Sequence, residues 1–378
     1  MSDRKEVARE AALSLFPESI RLPSGAGAKL VYLDMKDWIN LSKAAVGHAD
    51  GKRHRDVLDA CLAAADAGSA IFPLSQHIYN ETRKIPPRRQ RQSRDLANIM
   101  KGLSSHRMIM ARSEVARHEI EALLDNILWP GESPITPTEY ANDRGLFAAG
   151  GFVSRALEQV RITLRKGEKK SEITEPFRAW LARMDEDQQQ TLHHKILTDP
   201  TSAEVPSHRR YGWKPEASLK RYQQIADAHK RLSGGLADYP AAREPQELRT
   251  IISAIEFDRL SDVFCPLLGT RLDAQGLNTS IPDTRTKLHI QPVIAQLDRM
   301  PSFDVAVSLQ ASLHQNPNHN WSSNHVFDYE TLAITVPYCD IVVTDKEMRY
   351  HIQKNKLDQR METCVISKLS DLPAALKQ

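Results

Sequence analysis

Cysteine and long apolar runs are both scarce in this 378-residue chain. Its four cysteines are widely spaced and form no C-x-x-C pair, which argues against a zinc knuckle and against a disulfide framework. No segment approaches the roughly 18 consecutive apolar residues of a transmembrane helix, and the N-terminus lacks the apolar run of a signal peptide. These absences predict a cytoplasmic protein that does not associate with a membrane.

Glycine-rich phosphate-binding motifs are also missing. The chain has neither a Walker A loop nor the Rossmann glycine fingerprint, so nothing in it supports chemistry with a nucleotide cofactor. The net charge of +3 is almost neutral, so nucleic-acid binding would depend on local clusters of basic residues. The hydrophobic content of 41% is enough for a core, and the length fits one large domain or two ordinary ones.

Short apolar segments near both ends of the chain predict the strands of a single sheet. A helical pattern follows each of the first three strands, and this alternation indicates an α/β protein with a parallel sheet. The predicted strands cover residues 29–34, 69–74, 341–344 and 362–366.

The region between the two strand-bearing ends has a different character. Its pattern is helical, with charged stretches separated by Pro and Gly clusters, no convincing strand pairs and no fixed repeat. The predicted organisation is an N-terminal helix over 1–28, a discontinuous α/β domain formed by 29–105 and 301–378, and an all-helical insertion over 106–300.

Acidic residues lie where the predicted strands end. Asp34 and Asp345 each follow an apolar strand, Glu81 lies on the helix after the second strand, and Asp328 opens a helix predicted over 328–336. Ligands of parallel sheets bind at the carboxyl ends of strands, and carboxylate oxygens suit hard divalent cations. The alternative is that each aspartate is only a helix N-cap and that Glu81 is an ordinary surface carboxylate. Asp340 lies at the opposite end of the third strand and is predicted to be structural.

Four short motifs resemble those of the PIN-like nuclease superfamily. They are Tyr32-Leu-Asp34, Pro73-Leu-Ser75 followed by Glu81, Asn324-His-Val-Phe-Asp328, and Val342-Val-Thr-Asp345. The resemblance covers residues 29–105 and 301–378 and implies a Rossmann-like parallel sheet with helices on both faces. The helical middle lies outside the family pattern, and His325 stands where an acid would be expected.

The resemblance also implies a function. Asp34, Glu81, Asp328 and Asp345 would hold Mg²⁺ or Mn²⁺, with Thr344 and Asn324 as supporting or substrate contacts. The implied activity is that of a metal-dependent endoribonuclease, such as a toxin or an antiphage defence effector. A catalytically weak or inactive nucleic-acid-binding or scaffold protein is a second interpretation, and a structure-specific DNA nuclease is a third.

A basic segment follows the helix of Glu81 and contains no acid. Lysine and arginine clusters bind phosphates, so RNA binding is predicted here, although a solvated basic loop is an equal alternative. A further segment, 208–213, combines aromatic and basic residues and is a weaker candidate for base stacking. The basic residues are Arg83, Lys84, Arg88, Arg89, Arg91 and Arg94.

Histidines give weaker signals. His193 and His194 are adjacent in a helical stretch, where neighbours face different ways. His314, His319 and His325 surround a loop and could bind zinc, but no cysteine or acid has the spacing of a zinc motif, so a structural or surface role is favoured. Binding of a protein partner or inhibitor by the insertion, and homo-oligomerisation, are left open.

Overall fold

The computed structural model describes residues 28–82, 85, 89–104, 109, 112–128, 215–274, 276 and 294–378. The predicted helix over 1–28 lies outside these residues except for its last position. The following candidates also lie outside them: Arg83, Lys84, Arg88, His193, His194 and the segment 208–213.

A small parallel sheet forms the centre of the fold, as predicted. The strand order is β2-β1-β3-β4, and every neighbouring pair is parallel. Both faces are covered, because consecutive residues of β1 and β3 are buried although their side chains point to opposite faces. The strands are β1 Lys29–Leu33, β2 Ala70–Ile71, β3 Ile341–Val343 and β4 Cys364–Ile366.

All four strands are shorter than the apolar pattern predicts, β1 and β3 by one residue and β2 and β4 by more. β2 ends at Ile71, and Pro73 beyond it has no N–H with which to continue a ladder. β4 begins at Cys364 because Glu362, its predicted first residue, has a left-handed φ of 54°. The sheet therefore depends mainly on the central pair, β1 and β3.

Helices connect and cover the strands. Prolines begin several of them, at positions where the missing N–H has no helical partner. Within the described ranges, no helix combines the length and the apolar character that a membrane span would need. The helices are α1 Met35–Ala45, α2 Arg55–Asp66, α3 Gln76–Thr82, α4 Gln90–Ser104, α5 Arg112–Leu128, α6 Pro215–Asp238, α7 Pro245–Ala274, α8 Pro301–His314, α9 Ser323–Tyr338, α10 Lys346–Lys354, α11 Leu357–Arg360 and α12 Leu372–Lys377, with short 3-10 helices at Ala49–His54, Pro240–Arg243 and Leu369–Asp371.

The described helices of the predicted insertion pack against the C-terminal part of the chain. α6 contacts α9, while α5 and α7 contact α8, and a second apolar cluster lies between α5, α7 and α8. A buried ionic network joins three helices: Arg112 of α5 pairs with Glu256 of α7 and with Glu330 of α9. The helical middle therefore supports α8 and α9, which lead into β3. The domain boundaries themselves remain a prediction.

Candidate functional site

The carboxyl ends of β1 and β3 lie side by side. The register pairs Leu33 with Val343, so Asp34 lies one residue beyond this pair and Asp345 two residues beyond it. The predicted positions of both residues are correct, because an aspartate at the end of an apolar strand brings its carboxylate to this edge of the sheet.

Asp34 is the N-cap of α1. Its Oδ1 accepts a hydrogen bond from the N–H of Met35 at 2.6 Å, and its Oδ2 lies 3.8 Å from Nζ of Lys36. Burial raises the pKa of Asp34, the charge of Asp345 raises it further, and Lys36 and the Met35 N–H act in the opposite direction. Asp34 is thus a cap, as the alternative interpretation predicts, and also lies in the field of a second aspartate.

Asp345 has the same double character. It is the N-cap of α10, and its Oδ1 accepts a hydrogen bond from the N–H of Met348 at 2.8 Å. In both aspartates the cap uses Oδ1, so Oδ2 takes no part in it. The positive end of each helix dipole also favours negative charge at these positions.

Asp328 lies in the second turn of α9, so the prediction that it opens the helix is wrong. α9 begins at Ser323, because Ser322 and His325 form a capping box, with Nδ1 of His325 3.1 Å from the N–H of Ser322. The third residue of a capping box is normally Glu or Gln, so the sequence did not indicate this start. The helix also continues through Pro337 to Tyr338. Asp328 is therefore not a helix cap.

Glu81 lies near the end of α3 and is half-buried. α3 begins at Gln76, since Oγ of Ser75 accepts a hydrogen bond from the N–H of Ile78 at 3.2 Å. The charge of Glu81 acts on buried Tyr32 of β1, as do the charges of Asp34 and Asp328. The pKa of Tyr32 is raised well above its usual range by burial first, and then by Asp34, Glu81 and Asp328.

Asp328 lies within electrostatic reach of the three other predicted carboxylates. Burial is the main reason why the pKa of Asp328 is raised well above its usual range. The charges of Asp34, Asp345 and Glu81 each raise it further, and so does Glu347. Carboxylates so placed repel one another, and a bound cation would relieve that repulsion. We refer to Asp34, Glu81, Asp328 and Asp345 as the acidic cluster.

Two predicted supporting residues flank the acidic cluster. Thr344 is buried, and its N–H donates to the carbonyl of Ile366 at 3.0 Å, which fixes the end of β3 against β4. Asn324 is exposed in the first turn of α9, four residues before Asp328 and therefore on the same face of the helix.

The described part of the basic segment lies at the start of α4. Arg89, Arg91 and Arg94 are exposed there. α4 packs against α1, whose N-cap is Asp34. Arg91 and Arg94 therefore lie on a helix that packs against the one capped by Asp34, and Arg89 immediately precedes that helix.

Of the three histidines considered as zinc ligands, His314 has separate hydrogen-bond partners. His314 is 3.0 Å from Nδ1 of His229 through its Nε2, and 3.0 Å from Oγ of Ser233 through its Nδ1. It belongs to a buried polar chain between α6 and α8. Burial of both rings lowers the pKa of His229 to about 4 and that of His314 to about 3, so both are neutral at pH 7.

His319 and His325 do come together, and an acid that the sequence analysis missed joins them. Their ring centroids are 4.4 Å apart, and Glu347 completes a group in which one potential ligand atom per residue lies within 4.8 Å of the others. Burial lowers the pKa of His319 to about 4. Glu347 follows Asp345 by two residues, and this spacing was the available signal that it lies at the same edge of the sheet.

The acidic cluster and the neighbouring His319, His325 and Glu347 together offer oxygen and nitrogen ligands for divalent cations at one edge of the sheet. The resemblance to the PIN-like nucleases rests on the four short motifs and on the order in which they occur. Comparisons of the chain with protein-family models, with curated proteins and with solved structures found no match.

Proposed function

We propose that the protein is a metal-dependent endoribonuclease whose acidic cluster holds Mg²⁺ or Mn²⁺. The observation that carries this proposal is the position of Asp34 and Asp345 at the adjacent carboxyl ends of β1 and β3, within electrostatic reach of Asp328. The four acids come from sequence positions up to 311 residues apart, and crowding them at one sheet edge has a free-energy cost that a cation would offset. Action as a toxin or antiphage effector is a cellular context that fits this activity.

The donor set suits the proposed cations. Mg²⁺ and Mn²⁺ prefer oxygen ligands, and Mg²⁺ is usually held by one or two carboxylates together with phosphate oxygens of the substrate. Asp34 and Asp345 are the best primary ligands, because their Oδ1 caps fix the carboxylates while Oδ2 is outside the cap. Glu81 and Asp328 would complete the site or hold its waters.

The residues of the chain have distinct roles in this mechanism. Asp34 and Asp345 present their carboxylates at fixed positions, and Asn324 lies on the same helix face as Asp328 and would contact substrate. Burial and the neighbouring charges raise the pKa of Asp328, and a bound cation would act in the opposite direction. A bound Mg²⁺ or Mn²⁺ supplies an activated water and stabilises the leaving oxygen of the phosphodiester.

Substrate binding would use the basic helix. Arg89, Arg91 and Arg94 are exposed at the start of α4, beside the helix that Asp34 caps. Guanidinium groups bind phosphate oxygens without regard to sequence. The proposed polymer is RNA, as the resemblance implies.

Cleavage of a labelled RNA with Mn²⁺, and with EDTA as the negative condition, tests the proposal. The variants Asp34→Asn and Asp345→Asn retain a good helix N-cap, so they should fold. We expect each to lose about 100-fold or more in rate, which corresponds to several kcal/mol of lost electrostatic stabilisation. Undiminished cleavage by both folded variants would refute the proposed site.

Asp66→Asn is the matched control. Asp66 is exposed at the end of α2, the helix that leads into the start of β2, so it lies at the opposite edge of the sheet from the acidic cluster. Loss of the Asp66 carboxylate should leave the rate of RNA cleavage unchanged. Parallel assays with single-stranded and flap DNA identify the polymer: cleavage of DNA alone would overturn the RNA assignment and keep the site, whereas binding without cleavage would support the scaffold alternative.

A further inference from the structure

We propose that His319, His325 and Glu347 form a second cation site, next to the acidic cluster, that binds a transition-metal ion of the Zn²⁺ type. Zinc sites of the two-histidine, one-glutamate kind leave positions open for water or substrate. The proposal does not depend on the proposed nuclease activity, because it requires only binding.

The separation of the ligand atoms is the first argument. Nδ1 of His319 lies 3.7 Å from Oε1 of Glu347, which is too long for a hydrogen bond. Two ligands in tetrahedral sites with metal–ligand bonds of roughly 2.1 Å lie about 3.4 Å apart, so a shift of a few tenths of an ångström would bring these atoms to coordination distance. The glutamate side chain is 51% exposed and has room for that movement.

The ring of His319 also makes no hydrogen bond to another of the described residues. Its side chain is only 6% exposed, and its buried Nε2 has no hydrogen-bond partner among the described residues. Nδ1 is the ring nitrogen next to Glu347, so it is the one that would face a cation, and no hydrogen bond to a described residue competes for it. The contact of His319 with Trp321 is an edge-to-face ring contact, which orients the imidazole against an apolar wall.

The second argument is the way in which His325 is held. Its Nδ1 is 3.1 Å from both the N–H and Oγ of Ser322, so Nε2 is the nitrogen that can face a cation. A ring that coordinates through Nε2 carries its proton on Nδ1, and this N–H would donate a hydrogen bond to Oγ of Ser322. Metal-bound histidines are typically oriented by such a hydrogen bond from the second ring nitrogen. The N–H of Ser322, which donates to Nδ1 in the capping box, would then lose this acceptor.

The ligand chemistry selects the class of ion. Imidazole nitrogen suits Zn²⁺ and its transition-metal neighbours, whereas Mg²⁺ prefers an all-oxygen set such as the acidic cluster. The two sites are also within electrostatic reach of each other. Glu347 raises the pKa of Asp328, and Asp345 raises the pKa of His325, which burial lowers. A cation at the second site would therefore offset part of the negative charge of the acidic cluster.

The test measures Zn²⁺ binding to the EDTA-stripped full chain, with ZnCl₂ alone and a chromophoric chelator as competitor. We expect about one tightly bound Zn²⁺ per chain. His325→Gln keeps the capping box, in which glutamine is a normal third residue, and Glu347→Gln changes a half-exposed side chain, so both variants should fold. Each should weaken Zn²⁺ binding by more than about ten-fold, since changes outside the ligand shell already have effects of that size.

Two sets of controls make the result specific. His48→Gln removes a histidine whose side chain is 52% exposed, and it should bind Zn²⁺ like the unmodified chain. Asp34→Asn and Asp345→Asn should retain Zn²⁺ binding even if they lose cleavage, so failure of the nuclease proposal and failure of this one give different patterns. X-ray absorption at the zinc edge should report two imidazole ligands. Unchanged affinity in both His325→Gln and Glu347→Gln, or loss confined to the aspartate variants, would overturn the second site.

Discussion

The carboxylate of Asp340 accepts a hydrogen bond from the N–H of Leu30 at 2.6 Å and so joins β3 to β1 across 310 residues of sequence. The backbone carbonyl of Asp340 also accepts from the N–H of Cys364, at 2.9 Å, which ties the same position to β4. Asp340 therefore secures the amino end of the central strands, while Asp34 and Asp345 occupy the carboxyl end. The prediction that Asp340 is structural is confirmed.

Asp340→Ala should destabilise the fold without affecting cation binding. Removal of the acceptor leaves the N–H of Leu30 without its partner in a largely buried ladder, which costs about 1–3 kcal/mol. Asp340→Asn retains an acceptor oxygen and should lose less stability than Asp340→Ala. Urea unfolding measures both variants. Equal stability of Asp340→Ala and the unmodified chain would show that the hydrogen bond contributes nothing.

Asp37 should make stability fall as pH rises. It is 2% exposed, its Oδ2 has no hydrogen-bond partner among the described residues, and burial, aided by Asp34 and opposed by Lys36, raises its pKa to about 7. Between the unfolded pKa near 4 and the folded pKa, the folded state binds the proton and the unfolded state does not. Stability is therefore full below about pH 4, decreases up to about pH 7 and is level above it.

Asp37→Asn isolates this effect, because asparagine has nearly the same shape and does not titrate. The stability of the variant relative to the unmodified chain should increase by about 4 kcal/mol from pH 4 to pH 8, as a shift of about three pKa units implies. Urea unfolding across this range provides the measurement, and Asp66→Asn serves as the control at an exposed position. A relative stability that does not change with pH would contradict a buried, protonated Asp37.

The strand-end positions could be predicted from the sequence, because an apolar strand is recognised from its own residues alone. Asp34 and Asp345 were placed correctly for this reason, and the cap role of Ser75 follows from equally local chemistry. The helix of Asp328 was mispredicted because its capping box uses His325 in place of Glu or Gln. A pattern rule cannot anticipate a cap whose residue type is unusual.

Glu347 could not be assigned to a metal site with His319 and His325 from sequence spacing alone. It lies 22 residues from His325 and 28 from His319 in the sequence, and these distances match no compact metal motif. The three residues meet because α9 and α10 flank β3 and the loop before α9 folds over Trp321. The ionic network of the helical middle was equally inaccessible, since its members come from three helices whose packing the sequence pattern does not specify.

Arg112→Met should be strongly destabilising. Arg112 is 7% exposed, and its Nη1 donates to Oε1 of Glu330 at 2.8 Å while Nη2 pairs with Glu256. The substitution leaves two buried carboxylates with Arg259 as their remaining ion-pair partner among the described residues, and breaking a buried ion pair from one side costs about 3–5 kcal/mol. Urea unfolding would show the loss as a lower midpoint.

Arg55→Met is the surface counterpart of that experiment. Arg55 pairs with Asp59 at 3.1 Å, but both side chains are more than half exposed, so the loss should be below about 1 kcal/mol. Similar effects of the two substitutions would mean that burial does not strengthen the network of Arg112.

The final prediction concerns the basic residues of α4. If Arg89, Arg91 and Arg94 contact the phosphates of RNA, replacing all three by glutamine should weaken RNA binding and reduce its dependence on salt. Each lost contact with a single strand lowers the slope of log affinity against log salt by about 0.7, so the triple variant should lose roughly 2. Fluorescence anisotropy with EDTA present measures binding without cleavage.

The matched control removes three exposed lysines elsewhere on the surface, Lys220, Lys368 and Lys377, which changes the net charge by the same amount. A general charge effect would lower affinity equally in both triple variants, because long-range attraction depends on total charge. A contact effect would change the slope only in the arginine variant, since only released counterions alter it. An unchanged slope in the arginine variant would exclude α4 as the RNA-binding surface. It would not bear on the proposed role of the acidic cluster.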